Sequence, residues 1–214
     1  MPDIDKIIEN LERDYPDAMC TLDYRKDYEL LFSVRLAAQC TDERVNMVTP
    51  ALFERYPTLE DFANADVSEV EELIRSTGFY RMKAKDLVNA SIMLLRDYGG
   101  KVPDTMDELL KLPGVGRKTA NLILGDVFNA PSAVVVDTHC IRLTNRMGLV
   151  HTKDPVKIEY ALREILPPEK SSDFCHRLVL HGRAVCTARS PKCAVCSVRQ
   201  WCEYGAGDEK EQSK

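Results

Sequence analysis

The sequence predicts an all-α fold. Apolar residues recur three and four positions apart in several segments, as Ile4, Ile7, Ile8 and Leu11 do at the start of the chain. Only one run, 132–138, has the composition of a strand, and a single strand has no partner with which to form a sheet. With 214 residues, 44% of them hydrophobic, the chain suffices for one large or two small helical domains.

Two further apolar stripes continue the helical pattern. They consist of Leu30, Leu31, Val34 and Ala38, and of Leu87, Ala90, Met93 and Leu94. Between them, Pro50 lies inside an otherwise helical stretch. Because proline lacks an N–H and clashes with the preceding turn, we expect it to kink or split that helix.

Capping residues mark the ends of two shorter helices. Asp66 or Ser68 can cap the N-terminus of one helix, and Gly78 can end it. After a glycine-rich break, Asp104 or Thr105 can cap the next short helix.

Charge is unevenly distributed along the chain. The formal net charge is −5, and segment 54–72 is strongly acidic, which is typical of a solvated face. Segment 175–202 instead carries arginine and lysine residues and no acid. Because phosphate binding requires only a local basic surface, the net charge does not exclude a nucleic-acid partner.

No stretch approaches the roughly 20 apolar residues that a membrane span needs. The N-terminus carries charge every few residues, unlike a signal peptide. These features predict a cytoplasmic protein that does not bind membranes. The charged segment 207–214 is expected to be disordered.

The stretch LPGVGRKTAN, residues 112–121, predicts a hairpin between helices 105–111 and 117–128. The hairpin consists of Pro113, Gly114, Val115 and Gly116. Its glycines allow positive φ and close approach of a ligand, and the first amides of the second helix are unpaired and point outward. Such a hairpin can seat a phosphate. A tight turn between two packed helices is the alternative.

Lys118 lies in the first turn of the second predicted helix, where the helix dipole disfavours a cation. A lysine with an ordinary pKa of about 10.4 is almost fully protonated near neutral pH and is a poor nucleophile. The dipole contributes roughly 0.3–1 kcal/mol, so burial or a second cation such as Arg117 must help to produce a free amine. A lysine so activated can form a Schiff base with a sugar C1′. The alternative is a simple phosphate contact.

Four cysteines near the C-terminus are spaced C-x6-C-x2-C-x5-C; they are Cys186, Cys193, Cys196 and Cys202. Four thiolates this close can hold a tetrahedral zinc ion or a 4Fe-4S cluster, in either case in a structural role. Zinc ribbons usually pair two C-x2-C knuckles and only one is present, which favours the cluster. The other four cysteines are interpreted as ordinary thiols in or near the core.

The basic residues around these cysteines have two interpretations. A 4Fe-4S cluster with four thiolates is an anion, so the arginines can compensate its charge without contacting DNA. Arg189 and Lys192 lie in the loop between the first two cysteines and are the better candidates for phosphate contacts. Arg183 is assigned to charge compensation.

Together with AAQCTDERV at 37–45, VVDTH at 135–139 and LHGRAVC before the cysteine pattern, the hairpin stretch resembles endonuclease III. This family of bifunctional DNA glycosylases belongs to the helix-hairpin-helix, Gly/Pro-Asp superfamily. The resemblance implies two all-α domains with DNA across the cleft between them. Residues 22–132 would form a six-helix domain with the hairpin, and residues 1–21 with 133–214 would form the domain of the 4Fe-4S cluster.

By position, the family's Schiff-base lysine corresponds to Lys118 and its essential aspartate to Asp137. Asp137 follows an apolar run, so we expect a partly buried carboxylate that stabilises a developing sugar cation or moves protons. Its structural alternative is an N-cap for the helix beginning near Thr138, which is compatible with catalysis. His139 is interpreted as a structural hydrogen-bonding residue.

The resemblance also assigns residues that fill the gap left by an extruded nucleotide. The family's glutamine corresponds to Gln39 and its apolar wedge to Phe79, where relatives often have an aliphatic residue. The backbone of Gly114, Val115 and Gly116 would contact DNA phosphate.

The resemblance implies base excision repair of oxidised or ring-damaged pyrimidines such as thymine glycol, with cleavage 3′ to the abasic site by β-elimination. The expected partner is double-stranded DNA with such lesions or abasic sites, bound by a monomer associated with the nucleoid. A monofunctional adenine or mismatch glycosylase is disfavoured by Lys118, since those relatives lack the lysine. A non-catalytic DNA-binding or redox-sensing iron–sulfur protein is the third interpretation.

Overall fold

The computed structural model describes residues 2–206, and segment 207–214 lies outside them. The all-α prediction is confirmed, since these residues contain helices and no strand. The helices are α1 (Ile4–Asp14), α2 (Asp27–Leu36), α3 (Asp42–Arg55), α4 (Leu59–Ala63), α5 (Val67–Ile74), α6 (Tyr80–Tyr98), α7 (Met106–Leu109), α8 (Arg117–Asp126), α9 (Thr138–Met147), α10 (Pro155–Ile165) and α11 (Ser171–Ala184). Short 3-10 segments occupy Arg75–Thr77, Pro168–Lys170, Cys193–Val195 and Arg199–Trp201.

The chain divides into two compact units. Thr21–Phe128, called here the hairpin unit, contains α2 to α8. The thiol unit joins the N-terminal segment up to Cys20, with α1, to the chain from Asn129 onward, with α9 to α11. None of the helices in the described part of the chain combines the length and apolar character that a membrane span requires.

In the hairpin unit, the long helix α6 packs against α4 and α5, and α2 packs against α3 and α8. Phe32 and Phe62 are fully buried, with their rings edge to face and their centroids 5.0 Å apart. Such a pair stabilises the fold by roughly 0.5–1.5 kcal/mol beyond the burial of its area. This core supports the ends of α2 and α6, where candidate site residues lie.

In the thiol unit, α11 packs against α1 and α9. The Arg177 side chain is buried and donates a hydrogen bond of 3.2 Å to the carbonyl of Tyr15, just after α1. The Lys170 ammonium pairs with the Glu12 carboxylate at 3.0 Å. These contacts hold the N-terminal helix against the C-terminal part of the chain.

Several local predictions are confirmed. Asp66 caps α5 through a hydrogen bond from the Ser68 N–H, and Thr105 caps α7. The 3-10 turn after α5 ends at Gly78 with φ of 70°. In each case the signal was a local backbone requirement that only a few residue types satisfy.

Two local predictions need correction. Of the two outcomes expected at Pro50, a kink or a split, the split is wrong, because α3 runs without interruption from Asp42 to Arg55. Pro50 is exposed, whereas Val45, Thr49 and Leu52 are buried, so packing of the other face maintains the helix despite the missing hydrogen bond. The helical stripe that begins at Leu30 was predicted to reach Ala38. It is too long, because α2 ends at Leu36 and Ala38 lies beyond it.

Candidate active site

The predicted hairpin is present between α7 and α8. Gly114 has φ of 75°, and Val115 donates its N–H to the carbonyl of Leu112 at 3.2 Å. A Cβ on Gly114 would lie 2.5 Å from Arg35 Nε and 2.8 Å from Asp86 Oδ2. Glycine is therefore required here both by the backbone conformation and by close packing.

Beneath the hairpin, Arg35 of α2 and Asp86 of α6 form an ion pair that sequence reasoning missed. Nη2 and Nε of Arg35 lie 2.6 and 2.7 Å from Asp86 Oδ2. The side chains are only 16% and 19% exposed, so water screens the pair weakly. A lone arginine within the apolar run of α2 was the only available signal.

Helix α8 begins directly after the hairpin. Its N-cap, Gly116, has φ of −109° and provides no side-chain cap. Without a side-chain cap, backbone N–H groups at the positive end of the helix dipole suit an anionic ligand. Lys118 follows in the first turn and is exposed, so of the two expected contributions, burial or a second cation, the protein alone does not provide burial.

Asp137 is the N-cap of α9, as one interpretation of the sequence predicted. Oδ1 accepts the N–H of Cys140 at 2.7 Å, and Oδ2 lies 2.9 Å from Nδ1 of His139. The Asp137 side chain is 16% exposed, so it is partly buried yet accessible. His139 makes the structural contact expected of it.

Gln39 and Phe79 lie at exposed turns of the hairpin unit and share an unusual conformation. Their φ angles are 56° and 47°, in the left-handed region. This conformation costs roughly 1–2 kcal/mol for a residue other than glycine, so surrounding contacts must hold it. Phe79 is 61% exposed, a large apolar surface open to solvent.

The four predicted cysteine ligands line one pocket of the thiol unit. Burial raises the pKa of the Cys196 thiol to about 11 and raises that of Cys202. Cys196 Sγ lies 3.4 Å from Nε2 of His181, whose burial lowers its pKa. A bound metal would have to displace protons from these thiols.

The four thiols supply the donor set of an iron–sulfur cluster. Within residues 2–206, no group of three or more His, Cys, Asp or Glu side chains is placed to hold one metal ion. A tetrahedral zinc draws its four sulfurs to about 2.3 Å from one centre, whereas a 4Fe-4S cluster separates them on different irons. Four cysteine thiols around a shared pocket are a donor set that either group can use.

Two arginines of α9 support this pocket and were not identified from the sequence. Nη1 of Arg146 lies 3.3 Å from Cys186 Sγ and donates to the carbonyl of Thr187 at 2.8 Å. Arg142 donates from Nε and Nη2 to the carbonyl of Cys186, at 3.3 and 3.1 Å. Both are some 40 residues from the cysteine pattern in sequence, so no local spacing could reveal them.

The loop between Cys186 and Cys193 presents Arg189 and Lys192 at the surface. The Lys192 ammonium donates to the carbonyl of Ala184 at 3.1 Å. Arg183 is also exposed.

The predicted site residues fall into both units. The hairpin unit contains Gln39, Phe79, Gly114, Val115, Gly116 and Lys118. The thiol unit contains Asp137, Cys186, Arg189, Lys192, Cys193, Cys196 and Cys202.

Known proteins match both units. Residues 32–168 match the family described as HhH-GPD superfamily base excision DNA repair protein. Residues 186–202 match the iron-sulfur binding domain of endonuclease III.

Individual relatives match nearly the whole chain. Endonuclease III of Synechocystis sp. is 48% identical over 192 residues, which cover 90% of this chain and 88% of that protein. Endonuclease III of Bacillus subtilis is 43% identical over 198 residues, with coverage of 92% and 90%. A solved structure of a trapped endonuclease III–DNA covalent intermediate has a TM-score of 0.89 and 41% identity, covering 96% of this chain and 97% of that one.

Proposed function

The chain belongs to the endonuclease III family of HhH-GPD base excision DNA repair proteins, and we propose that it removes ring-damaged pyrimidines such as thymine glycol. It is a DNA glycosylase with AP lyase activity, and its partner is DNA. The observation that carries the proposal is Lys118, a primary amine in the first turn of α8 beside an uncapped helix N-terminus. We further propose that it acts on nucleoid DNA in the cytoplasm.

Lys118 is proposed as the nucleophile. Its free amine attacks C1′ of the damaged nucleotide while the bond to the base breaks, and the base leaves with a proton. The sugar ring opens to give a Schiff base, loss of a C2′ proton expels the 3′ phosphate by β-elimination, and water releases the amine. Since Lys118 is exposed, we propose that bound DNA excludes water from the ammonium and that Arg117 adds repulsion.

Asp137 is proposed as the acid–base residue. Its carboxylate would stabilise positive charge developing on the sugar and accept protons released from the lysine. The hydrogen bond that Oδ1 accepts from the Cys140 N–H and the contact of Oδ2 with His139 Nδ1 support this role, because they fix the orientation of both oxygens.

The protein carries an iron–sulfur cluster, and we propose Cys186, Cys193, Cys196 and Cys202 as its ligands. When bound, the cluster would cross-link the turns and short 3-10 segments of residues 186–202, a structural contribution. The Arg146 guanidinium, next to Cys186, would offset the negative charge of the thiolates.

DNA contacts are proposed at the surface groups of both units. The hairpin backbone at Gly114, Val115 and Gly116 would approach phosphate, with the N–H of Val115 already donating to Leu112. Arg189 and Lys192 would also bind phosphate. Gln39 and Phe79 would fill the gap left by the extruded nucleotide, with Phe79 as an apolar wedge.

Borohydride trapping tests the nucleophile. Borohydride reduces a Schiff base to a stable amine, so the wild-type protein with abasic duplex should give a covalent adduct on a denaturing gel. Lys118→Gln should give none, whereas Lys101→Gln, an exposed lysine of the same unit, should trap as the wild type does.

Other outcomes would contradict the proposal. Base release without an adduct indicates a monofunctional glycosylase, and neither product indicates a non-catalytic DNA-binding protein. Undiminished trapping by Lys118→Gln would assign the nucleophile to another amine.

A further inference from the structure

Lys83 is a fully buried lysine in the hairpin unit, and the proposed chemistry does not use it. Its side chain lies in the first turn of α6 with 0% exposure. Lysine is rarely buried to this extent unless its ammonium is paired. Here Nζ donates hydrogen bonds to two backbone carbonyls, of Leu36 at 2.7 Å and of Thr77 at 2.8 Å.

Both acceptors lie at the C-terminal ends of helical segments. Leu36 is the last residue of α2, and Thr77 is the last residue of the 3-10 segment before α6. Carbonyls at helix C-termini lack intrahelical partners and carry the negative end of the helix dipole. An amine donor between them therefore satisfies two orphan acceptors and links the two segments.

The chain downstream of each acceptor forms one of the two left-handed turns. Gln39 lies three residues after Leu36, and Phe79 lies two residues after Thr77, with φ of 56° and 47°. The main-chain N–H of Lys83 also donates to the carbonyl of Phe79 at 3.1 Å. Lys83 thus bonds the Phe79 turn through the carbonyls of Thr77 and Phe79. It bonds the start of the Gln39 turn through the carbonyl of Leu36.

We propose that Lys83 is a positioning residue. It fixes the distance between the Gln39 and Phe79 turns, so that both side chains can insert into the duplex together. The inference rests on the proposed function, because it assumes that these two exposed side chains replace the extruded nucleotide. Lys83 itself touches no DNA. It sets the spacing between two turns whose own backbone conformations are unfavourable.

The bridge does not require a particular charge state. Burial lowers the pKa of Lys83 from its ordinary value, with nearby Cys40 opposing this shift and Arg35 adding to it. The neutral amine has two N–H groups, one for each of the two carbonyl acceptors. Both the charged and the neutral side chain can therefore form the bridge.

Lys83→Met tests the proposal by removing the donor while keeping an unbranched apolar side chain. In single-turnover excision from a thymine glycol duplex, we expect a loss of roughly 10- to 100-fold, the scale of a misplaced positioning group. Affinity for undamaged duplex should stay unchanged, since phosphate contacts do not involve the turns. Lys85→Met, an exposed lysine on the same helix, should match the wild type.

A double-mutant cycle separates positioning from general destabilisation. In a protein that already carries Gln39→Ala and Phe79→Ala, Lys83→Met should lower the excision rate less than about threefold, because the side chains that Lys83 positions are absent. An equal fold-loss in both backgrounds, or no loss in the native background, would overturn the inference. If Lys83→Met does not fold, Lys83→Gln takes its place with the same expectations, because its amide nitrogen lies one bond nearer the main chain and cannot reach both carbonyls.

Failure of the proposed function gives a different result. In that case the wild-type protein itself neither excises thymine glycol nor forms a borohydride adduct. Normal trapping by the wild type, together with equal losses in both backgrounds, refutes only the role of Lys83.

Discussion

Oδ2 of Asp137 lies 2.9 Å from Nδ1 of His139, while Oδ1 accepts the N–H of Cys140 at the start of α9. Both oxygens of one carboxylate are therefore held by neighbours within three residues. The helix dipole favours negative charge at this end of α9. A cap and a proposed catalytic carboxylate thus share one side chain, and substitutions can separate the two roles.

Asp137→Asn should retain the cap and lose the charge. Asparagine caps helices about as well as aspartate, whereas alanine costs about 1 kcal/mol, with a range of roughly 0.5–2. In urea unfolding, the free energy of unfolding of Asp137→Asn should be near that of the wild type. That of Asp137→Ala should be lower by about 1 kcal/mol. Both variants should lose roughly 10²- to 10⁴-fold in single-turnover excision. Full activity of Asp137→Asn would reduce Asp137 to a structural cap.

Gly114→Ala should destabilise the hairpin unit. The left-handed conformation alone costs roughly 1–2 kcal/mol for alanine, and the new Cβ would collide with the Arg35–Asp86 pair. Gly116→Ala is the matched control, because its φ is negative and its Cβ would meet nothing within 4 Å. Replacing this N-cap glycine should lower the free energy of unfolding by less than about 1 kcal/mol.

Urea unfolding at equilibrium measures both glycine variants, and DNA binding is measured separately. If Gly116→Ala weakens binding to abasic duplex while remaining stable, backbone approach to phosphate is the reason. Equal stabilities of the two variants would contradict the packing of Gly114 against Arg35.

Whether a feature could be predicted from the sequence depends on how far apart along the chain the residues that form it lie. The cap of Asp137 and the turn at Gly114 follow from backbone requirements within four residues, and both were found. The bridge from Lys83 to Leu36 spans 47 residues and required knowledge of which helices pack together. The left-handed turn at Phe79 had no signal, because phenylalanine does not favour that conformation.

Arg146→Gln should weaken retention of the cluster. The guanidinium lies 3.3 Å from Sγ of Cys186, a proposed ligand, and the substitution removes this contact. Loss of such a supporting contact typically lowers metal affinity roughly 10- to 100-fold. Iron per chain, about four in the loaded wild type, is measured against increasing chelator.

Arg189→Gln is the control for charge near the cluster, since Arg189 is exposed in the same loop. It should retain iron as the wild type does. If both variants lose iron equally, general positive charge rather than the Arg146 contact stabilises the cluster.

Lys192→Gln should weaken binding of abasic duplex uniformly across sequences and flatten its salt dependence. Each phosphate neutralised by lysine releases condensed counterions, so losing one contact should reduce the slope of log K against log salt by about 1. Lys157→Gln, an exposed lysine of α10, should leave the slope unchanged. The Lys192 ammonium also bonds the carbonyl of Ala184, so an effect through loop structure would lower affinity without changing the slope. That result would assign Lys192 to the architecture of the loop instead of to DNA.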